Sequence, residues 1–544
     1  MLAGPGSGKT RTLSARARHL LISEPASEAL LLTFMNKAAA EMKSRALSGA
    51  PFRGDRLWAG TFHSFGGHLL RDHGTLIDIP NEFDILDEED QLALASEVGG
   101  SAQDLRDWSR SRCSGRPASG SVGSFGELYE AAKASQEALD FDDLVVRAAE
   151  LLATEPDIAE VYGHRFNHLL VDEFQDTDAS RFAIVRALAP HARTISVFAD
   201  DDQAIMSFAG ADRGNVALFM SELGAKRYDL TANYRCAEEI VVVANRLMRA
   251  DPEPSGRVMR PARRGGEVTA RGYPNETDEA EGIVARVIDL VCDDDWHNVA
   301  VLVRWASRAD RIAAALADAT IPVSDWRGHF IDGEARRYVA ACLAVVRPLL
   351  AGRHEGRLCE LAGIDKTRHR EVDAVLDSLG DTQLGQSLVC VRTDALNGAS
   401  PLQLVDQACD VVGAARPELG SDLAVLLDGV RGFSEHDPQY SLEHLLAELA
   451  LGAGGQPPTE SGGVKIATLH RTKGLEWPHV ILAGVEQGTL PIFHATSERA
   501  ISEERRLCFV GVCRAEQTLE LTYASRVNGW AKHRSQFLRE MDLP

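Results

Sequence analysis

Short, mostly apolar runs alternate with longer stretches of helical periodicity along most of the chain. A strand buried on both faces of a parallel sheet produces such runs. They predict strands at 29–34, 57–60, 168–171, 194–199 and 228–230, and a second set at 299–303, 464–468, 480–485 and 519–522. Between them, 11–21, 36–47 and the stretch opening at 141–144 have the spacing of helices, with Asn36 placed to cap the second. The alternation marks an α/β nucleotide-binding core. Its recurrence in two sets is the one internal duplication predicted, with no solenoid-type repeat.

Two stretches break the pattern. Residues 79–139 lack a strand signal and carry a Gly/Ser-rich middle at 114–126, which predicts a short helical insertion with a flexible connection. Residues 336–455 are Leu/Ala-rich and end in a glycine-rich turn, which predicts a second helical insertion. The resulting organisation is a first α/β domain from 1–78 and 140–250 and an insertion at 79–139. A Pro/Gly/Arg-rich linker follows at 251–266, then a second α/β domain from 267–335 and 456–544 interrupted by the insertion at 336–455. A length of 544 residues accommodates three or four such units.

Composition narrows the function classes. A net charge of −22 argues against coating nucleic acid by bulk electrostatics, but leaves room for a locally basic groove. The nine cysteines are scattered singly, without metal-ligand spacing, and read as reduced thiols. No apolar run reaches the ~18 residues a membrane span needs. A cytoplasmic protein without membrane association is expected.

The chemistry begins at the first residues, Met1-Leu-Ala-Gly-Pro-Gly-Ser-Gly-Lys-Thr10. A glycine-rich turn entering a helix leaves backbone N–H groups free to cradle phosphates, with Lys9 reaching the β and γ phosphates and Thr10 holding Mg²⁺. Hydrolysis of ATP further needs a metal-side carboxylate, a base for water and cations for charge developing at the γ-phosphate. Asp172 at a strand end fits the first, adjacent Glu173 the second, and Gln203 at another strand end fits a γ-phosphate sensor. Alone, the Asp-Glu pair also fits a solvated turn. Their order on successive strands is what favours the site.

The motif series resembles that of the UvrD/Rep/PcrA family of superfamily 1 DNA helicases. It comprises Ala3-Gly-Pro-Gly-Ser-Gly-Lys-Thr10, Thr33-Phe-Met-Asn-Lys-Ala-Ala39, Gly60-Thr-Phe-His-Ser64, Val171-Asp-Glu-Phe-Gln-Asp-Thr177 and Asp200-Asp-Asp-Gln203. Asn233-Tyr-Arg235, Thr468-Leu-His470 with Lys473-Gly-Leu-Glu476, and Glu503-Glu-Arg-Arg-Leu507 through Cys513-Arg-Ala515 complete it. The resemblance runs from residue 1 to about 541. It implies two RecA-like P-loop domains of parallel sheets flanked by helices, ATP and Mg²⁺ bound between them, and a helical insertion in each. The nucleotide would contact Ala3, Gly4, Gly6, Ser7, Gly8, Lys9, Thr10, Arg11, Gly474 and Glu476, the last at the ribose. Tyr234 would stack on adenine, and Arg235 and Arg514 would reach the γ-phosphate as arginine fingers. Thr10 and Asp172 would hold the metal. Phe34, Asn36, Lys37, Thr61, His63, Phe208 and His470 match positions lining the family's single-strand channel; Phe34 and Phe208 equally fit ordinary core residues.

The implied function is an ATP-dependent 3′–5′ DNA helicase or translocase. Its partners would be single-stranded DNA, single-strand/duplex junctions and repair or replication proteins. Departures from the family pattern are Met206 for a stacking Tyr, Ala209 for a cation, Cys513 for Thr and Glu516 for a basic residue, together with short insertions. Only Met1 and Leu2 precede the phosphate loop, where a buried strand is expected. That motivates two further expectations: a truncated, non-hydrolysing DNA-binding remnant, or a natural start upstream, since the family commonly has Val at the position of Met1.

Overall fold

The computed structural model describes residues 1–50, 52, 54–206, 210–291, 295–324, 333–346, 351–364, 372–436 and 462–544. The first sheet is parallel, in the order Leu57–Thr61, Ala29–Thr33, His168–Val171, Thr194–Val197. Side chains alternate across it, as the strand period of two demands. Leu30, Leu32, Leu169 and Val171 enter one core with Phe62 and Phe65, whereas Ala29, Leu31 and Leu170 enter another with Leu13, Ala17 and Leu21 of the helix Lys9–Ser23. Both faces being covered explains why Ala29–Thr33 and its neighbours read as mostly apolar runs.

The start of the chain forms a short strand, Leu2–Ala3, ahead of the phosphate loop. Leu2–Ala3 pairs parallel with Asp229–Leu230 on one side and bridges Ala199 on the other. Ala3 N–H donates to the Ala199 carbonyl at 2.9 Å, Ala199 N–H to that of Met1 at 3.0 Å, and Leu2 N–H to that of Tyr228 at 2.8 Å. The Met1 ammonium donates to the Val197 carbonyl at 2.7 Å. The missing strand that motivated a non-hydrolysing remnant is thus supplied by Leu2–Ala3.

The second sheet is also parallel, ordered Glu267–Tyr273, Ala515–Ala524, Trp477–Ala483, Val299–Val303, Val464–Thr468, Val323–Ser324. Val299, Val301 and Val303 face one core, Ala300 and Leu302 the other. Strand Glu267–Tyr273 escaped the sequence reading because it is an edge strand, largely polar and only partly covered.

Several local expectations change. Met35, not Asn36, is the N-cap of helix Asn36–Leu47. The insertion at 79–139 is rooted by two short parallel strands, Asp84–Leu86 and Ala138–Asp140. Part of its expected flexible middle is helix Gly120–Ser135, held by Phe125 and Tyr129 in a small core with Leu86 and Leu94. At the root, Lys133 Nζ lies 2.8 Å from Asp140 and 2.6 Å from Asp143, with Arg112 on the other side of Asp143, so cations already occupy the middle of this carboxylate cluster.

The second insertion packs helices Gly333–Leu343, Ala351–Ala362, Val372–Leu379, Gln383–Leu396, Pro401–Ala415 and Gly420–His436 around one apolar core. Its expected closing stretch at 437–455 lies outside the described residues. The two insertions touch where Arg357 meets Asp90 at 2.6 Å and Arg337 meets Glu89.

The expected linker at 251–266 is docked rather than free. Within it Arg260–Arg263 pairs parallel with Ala232–Ala237, and the preceding helix Glu238–Arg249 shares a core with Leu507, Val510, Leu519 and Leu521 of the second unit. Among the described residues no helix is long and apolar enough to cross a membrane.

Candidate functional site

The phosphate loop joins the short strand Leu2–Ala3 to helix Lys9–Ser23 through two glycines in the left-handed region, Gly6 at φ 66° and Gly8 at φ 79°. Such a backbone excludes most side chains. At Gly6 space forbids one too, since a Cβ would sit 2.6 Å from Arg235 Cβ. The N–H groups of the first helical turn, at Lys9, Thr10 and Arg11, have no intrahelical acceptor by geometry and so face the loop's concavity. Ala3, Gly4 and Ser7 are buried beneath it, Lys9 and Thr10 half-buried, and Arg11 exposed.

The loop is tied to the Asn-Tyr-Arg motif. Tyr234 N–H donates to the Gly6 carbonyl at 2.8 Å and Asn233 Nδ2 to that of Pro5 at 2.9 Å. Asn233 Oδ1 accepts from the backbones of Arg235 and Cys236 at 3.0 and 2.7 Å. Tyr234 itself stands out at 63% exposure, an open ring beside the loop.

The two carboxylates leave the end of strand His168–Val171. Asp172 is buried, and among the described residues its Oδ1 lacks a hydrogen-bond partner although it lies 3.7 Å from Lys9 Nζ. A buried, unsatisfied carboxylate oxygen beside a phosphate loop fits a divalent-cation ligand. Glu173 has φ 50°, uncommon for a residue with a side chain, and pairs with Lys9. Burial works to lower the Lys9 pKa, but Glu173 and Asp172 outweigh it and hold the ammonium above its ordinary value. Burial likewise works to raise Glu173, and Lys9 and Lys473 override it, holding this carboxyl well below the usual range.

From Glu173 a line of hydrogen bonds crosses to the second unit. Gln175 Nε2 donates to Glu173 Oε2 at 2.6 Å, and Asp200 N–H donates to Gln175 Oε1 at 2.8 Å. Asp200 Oδ2 accepts from Gln203 Nε2, whose Oε1 accepts from Arg514 Nη2 at 3.1 Å. Arg514 is 1% exposed, and burial, then the neighbouring Arg235, pushes its pKa down to about 10. Arg235 meets Glu476 Oε2 at 2.5 Å and donates to the Cys513 carbonyl at 3.3 Å. Because that contact is to backbone, Cys in place of Thr leaves it intact. Glu516, in place of a basic residue, accepts from Arg263 at 2.9 Å. Gly474, at φ 85°, turns the chain between Lys473 and Glu476.

Lys473 was not singled out in the sequence. Its Nζ pairs with Asp176, lies 3.5 Å from Glu173 Oε2 and donates to the Gln203 carbonyl at 3.3 Å. Burial pushes Asp176 up to about 6 despite that cation. Lys473 lies inside a quoted motif, so the available signal was a second lysine facing an acidic strand end. Gln175 and Asp200 were also unassigned; both sit inside quoted motifs.

The nucleic-acid candidates divide. Phe34 packs on Phe62 with ring centroids 5.7 Å apart and carries the Arg181 guanidinium 5.5 Å from its centroid. Thr61 Oγ1 accepts from Ser64 N–H at 3.1 Å, capping helix Phe62–His73. His63 Nε2 lies 3.1 Å from Arg181, and burial, then that guanidinium, pulls its pKa down to about 3. His470 is pulled down to about 4 by burial and then Arg304. Asn36 opens its helix, of the Lys37 side chain nothing is described, and Phe208 and Ala209 lie outside the described residues. Met206 packs against the core of the second unit.

Two parallel α/β units, a phosphate loop on the first and an arginine from the second reaching its strand ends define a P-loop nucleotide-driven motor. The profile of the UvrD/REP helicase N-terminal domain matches residues 1–114 and 101–223, and that of the UvrD-like helicase C-terminal domain matches 228–345 and 420–526. The chain belongs to the UvrD-like helicase family. It is 31% identical to DNA helicase II of Escherichia coli over 99% of its own length and 85% of that protein's, with the same figures for DNA helicase II of Salmonella typhimurium. It is 25% identical to the ATP-dependent DNA helicase PcrA of Staphylococcus aureus, over 96% and 81%.

Proposed function

We propose that this chain couples ATP hydrolysis to 3′–5′ movement on single-stranded DNA and to opening of duplex at single-strand junctions, in DNA repair or replication. The observation that carries the reading is the line Glu173, Gln175, Asp200, Gln203, Arg514, which links the phosphate side of one unit to a buried cation of the other.

In the geometry described, Glu173 is neutralised by Lys9 and Lys473 and is a poor base. A triphosphate entering the loop competes for Lys9 and releases Glu173 toward a water at the γ-phosphate. Arg235 and Arg514 then meet the charge developing there. Thr10 and Asp172 would hold Mg²⁺, which supplies positive charge at the β and γ phosphates. Tyr234 offers its open ring to the base and Glu476 its carboxylate to the ribose, beside the turn at Gly474. The phosphate cradle is Gly4, Gly6, Gly8 and the first helical turn. Phe34 and His63 on one unit and His470 on the other offer stacking and neutral hydrogen-bonding groups to a single strand, with the Arg181 guanidinium beside Phe34 and His63. Asn36, Lys37, Thr61 and Phe208 complete the proposed track.

Displacement of streptavidin from biotinylated oligonucleotides tests the polarity. ATP-dependent release from the 5′ end and not the 3′ end is expected for 3′–5′ movement. Release from the 3′ end alone overturns the polarity, and release from neither end overturns translocation.

A further inference from the structure

The segment expected as a linker reaches back into the nucleotide site. Arg257, its side chain 6% exposed, places Nη2 against Asp200 Oδ1 and 3.3 Å from Asp202 Oδ2. Ser255 Oγ donates to Asp202 Oδ2 at 2.7 Å and accepts from Arg257 N–H at 3.2 Å. Two residues on, Met259 is clamped by Asn245, whose side chain donates to its carbonyl at 2.9 Å and accepts from its N–H at 3.0 Å. The Met259 thioether lies 3.6 Å from Asn233 Nδ2, and its side chain is 3.4 Å from where a Cβ on Gly4 would stand. Residues 255–259 thus touch the phosphate loop, the Asn-Tyr-Arg motif and the Asp200–Gln203 turn before the chain enters the second unit.

We infer that Arg257 is a positioning residue for the γ-phosphate end of the site, acting on Gln203 through Asp200. Asp200 is fully buried, and its hydrogen bonds tie the parts of the site together: Arg257 and the Asp202 N–H donate to Oδ1, Gln203 Nε2 donates to Oδ2, and its own N–H donates to Gln175 Oε1. A carboxylate buried there needs a countercharge, and Arg257 is the cation bonded to it. An amide has two chemically different ends. With Asp200 accepting from Nε2, Gln203 must turn Oε1 toward Arg514, as observed. If Asp200 swings away, the amide loses the contact that orients it and Arg514 loses its acceptor. Arg257 also stands on the segment joining the two units, so a shift of that segment moves the residue that orients Gln203.

The inference rests on the ATPase reading above, and its test separates the two. Arg257→Met is expected to lower kcat of DNA-stimulated ATP hydrolysis roughly 10-fold or more while KM for ATP moves less than about 3-fold, and Arg257→Lys to recover part of the loss. In a Gln203→Ala background the same Arg257→Met change is expected to add less than about 2-fold, the non-additivity of residues acting as one unit. A fully multiplicative effect in the double variant, or a loss confined to KM, overturns it. Hydrogen exchange read on the peptide spanning 198–206 needs no activity: faster exchange in Arg257→Met is expected, and unchanged exchange overturns the positioning role. A wild-type chain without ATP hydrolysis overturns the functional reading alone, and the exchange comparison still decides Arg257.

Discussion

Glu173 is held between two ammonium groups from opposite units, and substitutions there separate binding from chemistry. Glu173→Gln removes the partner that competes for Lys9, so ATP binding should persist while kcat falls by about 10²–10⁴, the usual worth of a positioned base. Lys9→Ala should abolish hydrolysis. Arg514→Ala should cost about 10³-fold or more in kcat, and Arg514→Lys should not restore it, because the planar fork that reaches Val510, Leu475 and Gln203 at once is lost. Titration at His63 has a definite sign. The unfolded chain takes up a proton near 6.5, whereas the folded side chain resists it until about 3. Stability therefore falls as pH drops from 6.5 toward 3. The slope of Tm against pH below 6.5 should be shallower in His63→Asn. Lys9, Asp172, Glu173 and Gln203 were legible because each lies in a short motif with a mechanical reason. Lys473 was not, because its partner Asp176 is 297 positions away and nothing local in the sequence pairs them.

Elements with both faces covered were legible from pattern alone, as Ala29–Thr33 and Val299–Val303 show. The exposed edge Glu267–Tyr273 and the short strand Leu2–Ala3 were not, the first for want of an apolar run and the second for want of length. Its backbone pairing to Ala199 and Tyr228 supplies what length does not. Helix Gly120–Ser135 shows the limit of composition: its glycines predict a loose segment, and tertiary packing of Phe125 and Tyr129 overrides them. At this scale the phosphate loop gives a sharp expectation. Gly6→Ala places a Cβ against Arg235 on a backbone at φ 66°, and ATP affinity measured by equilibrium titration should drop roughly 10-fold or more, since left-handed strain alone is worth about 1–2 kcal/mol. Thr61 is a cap before it is anything else. Thr61→Ala should lower stability to denaturant by about 1 kcal/mol, with Thr61→Ser close to neutral.

The chain between the two units is docked on both and adds to the direct contacts that Lys473 and Arg514 make across the site. Helix Glu238–Arg249 is buried in the second core, the Asn-Tyr-Arg motif that precedes it is bonded to the phosphate loop of the first, and residues 255–259 bridge to the Asp200–Gln203 turn. None of this was visible as a linker composition rich in Pro, Gly and Arg, because docking depends on what those residues meet. The bulk charge of −22 is compatible with the proposed nucleic-acid track, in which stacking on aromatic rings would supply about 1–3 kcal/mol per base. On the proposed reading, single-stranded DNA bound across the two units controls the ATP site between them. Steady-state ATP hydrolysis by the full chain, measured with and without a single-stranded oligonucleotide, tests it most directly. Single-stranded DNA is expected to raise kcat by roughly 10-fold or more, a gain of about 1.4 kcal/mol or more in transition-state stabilisation, and Lys9→Ala is expected to remove the activity. Hydrolysis at the same rate with and without DNA would contradict it.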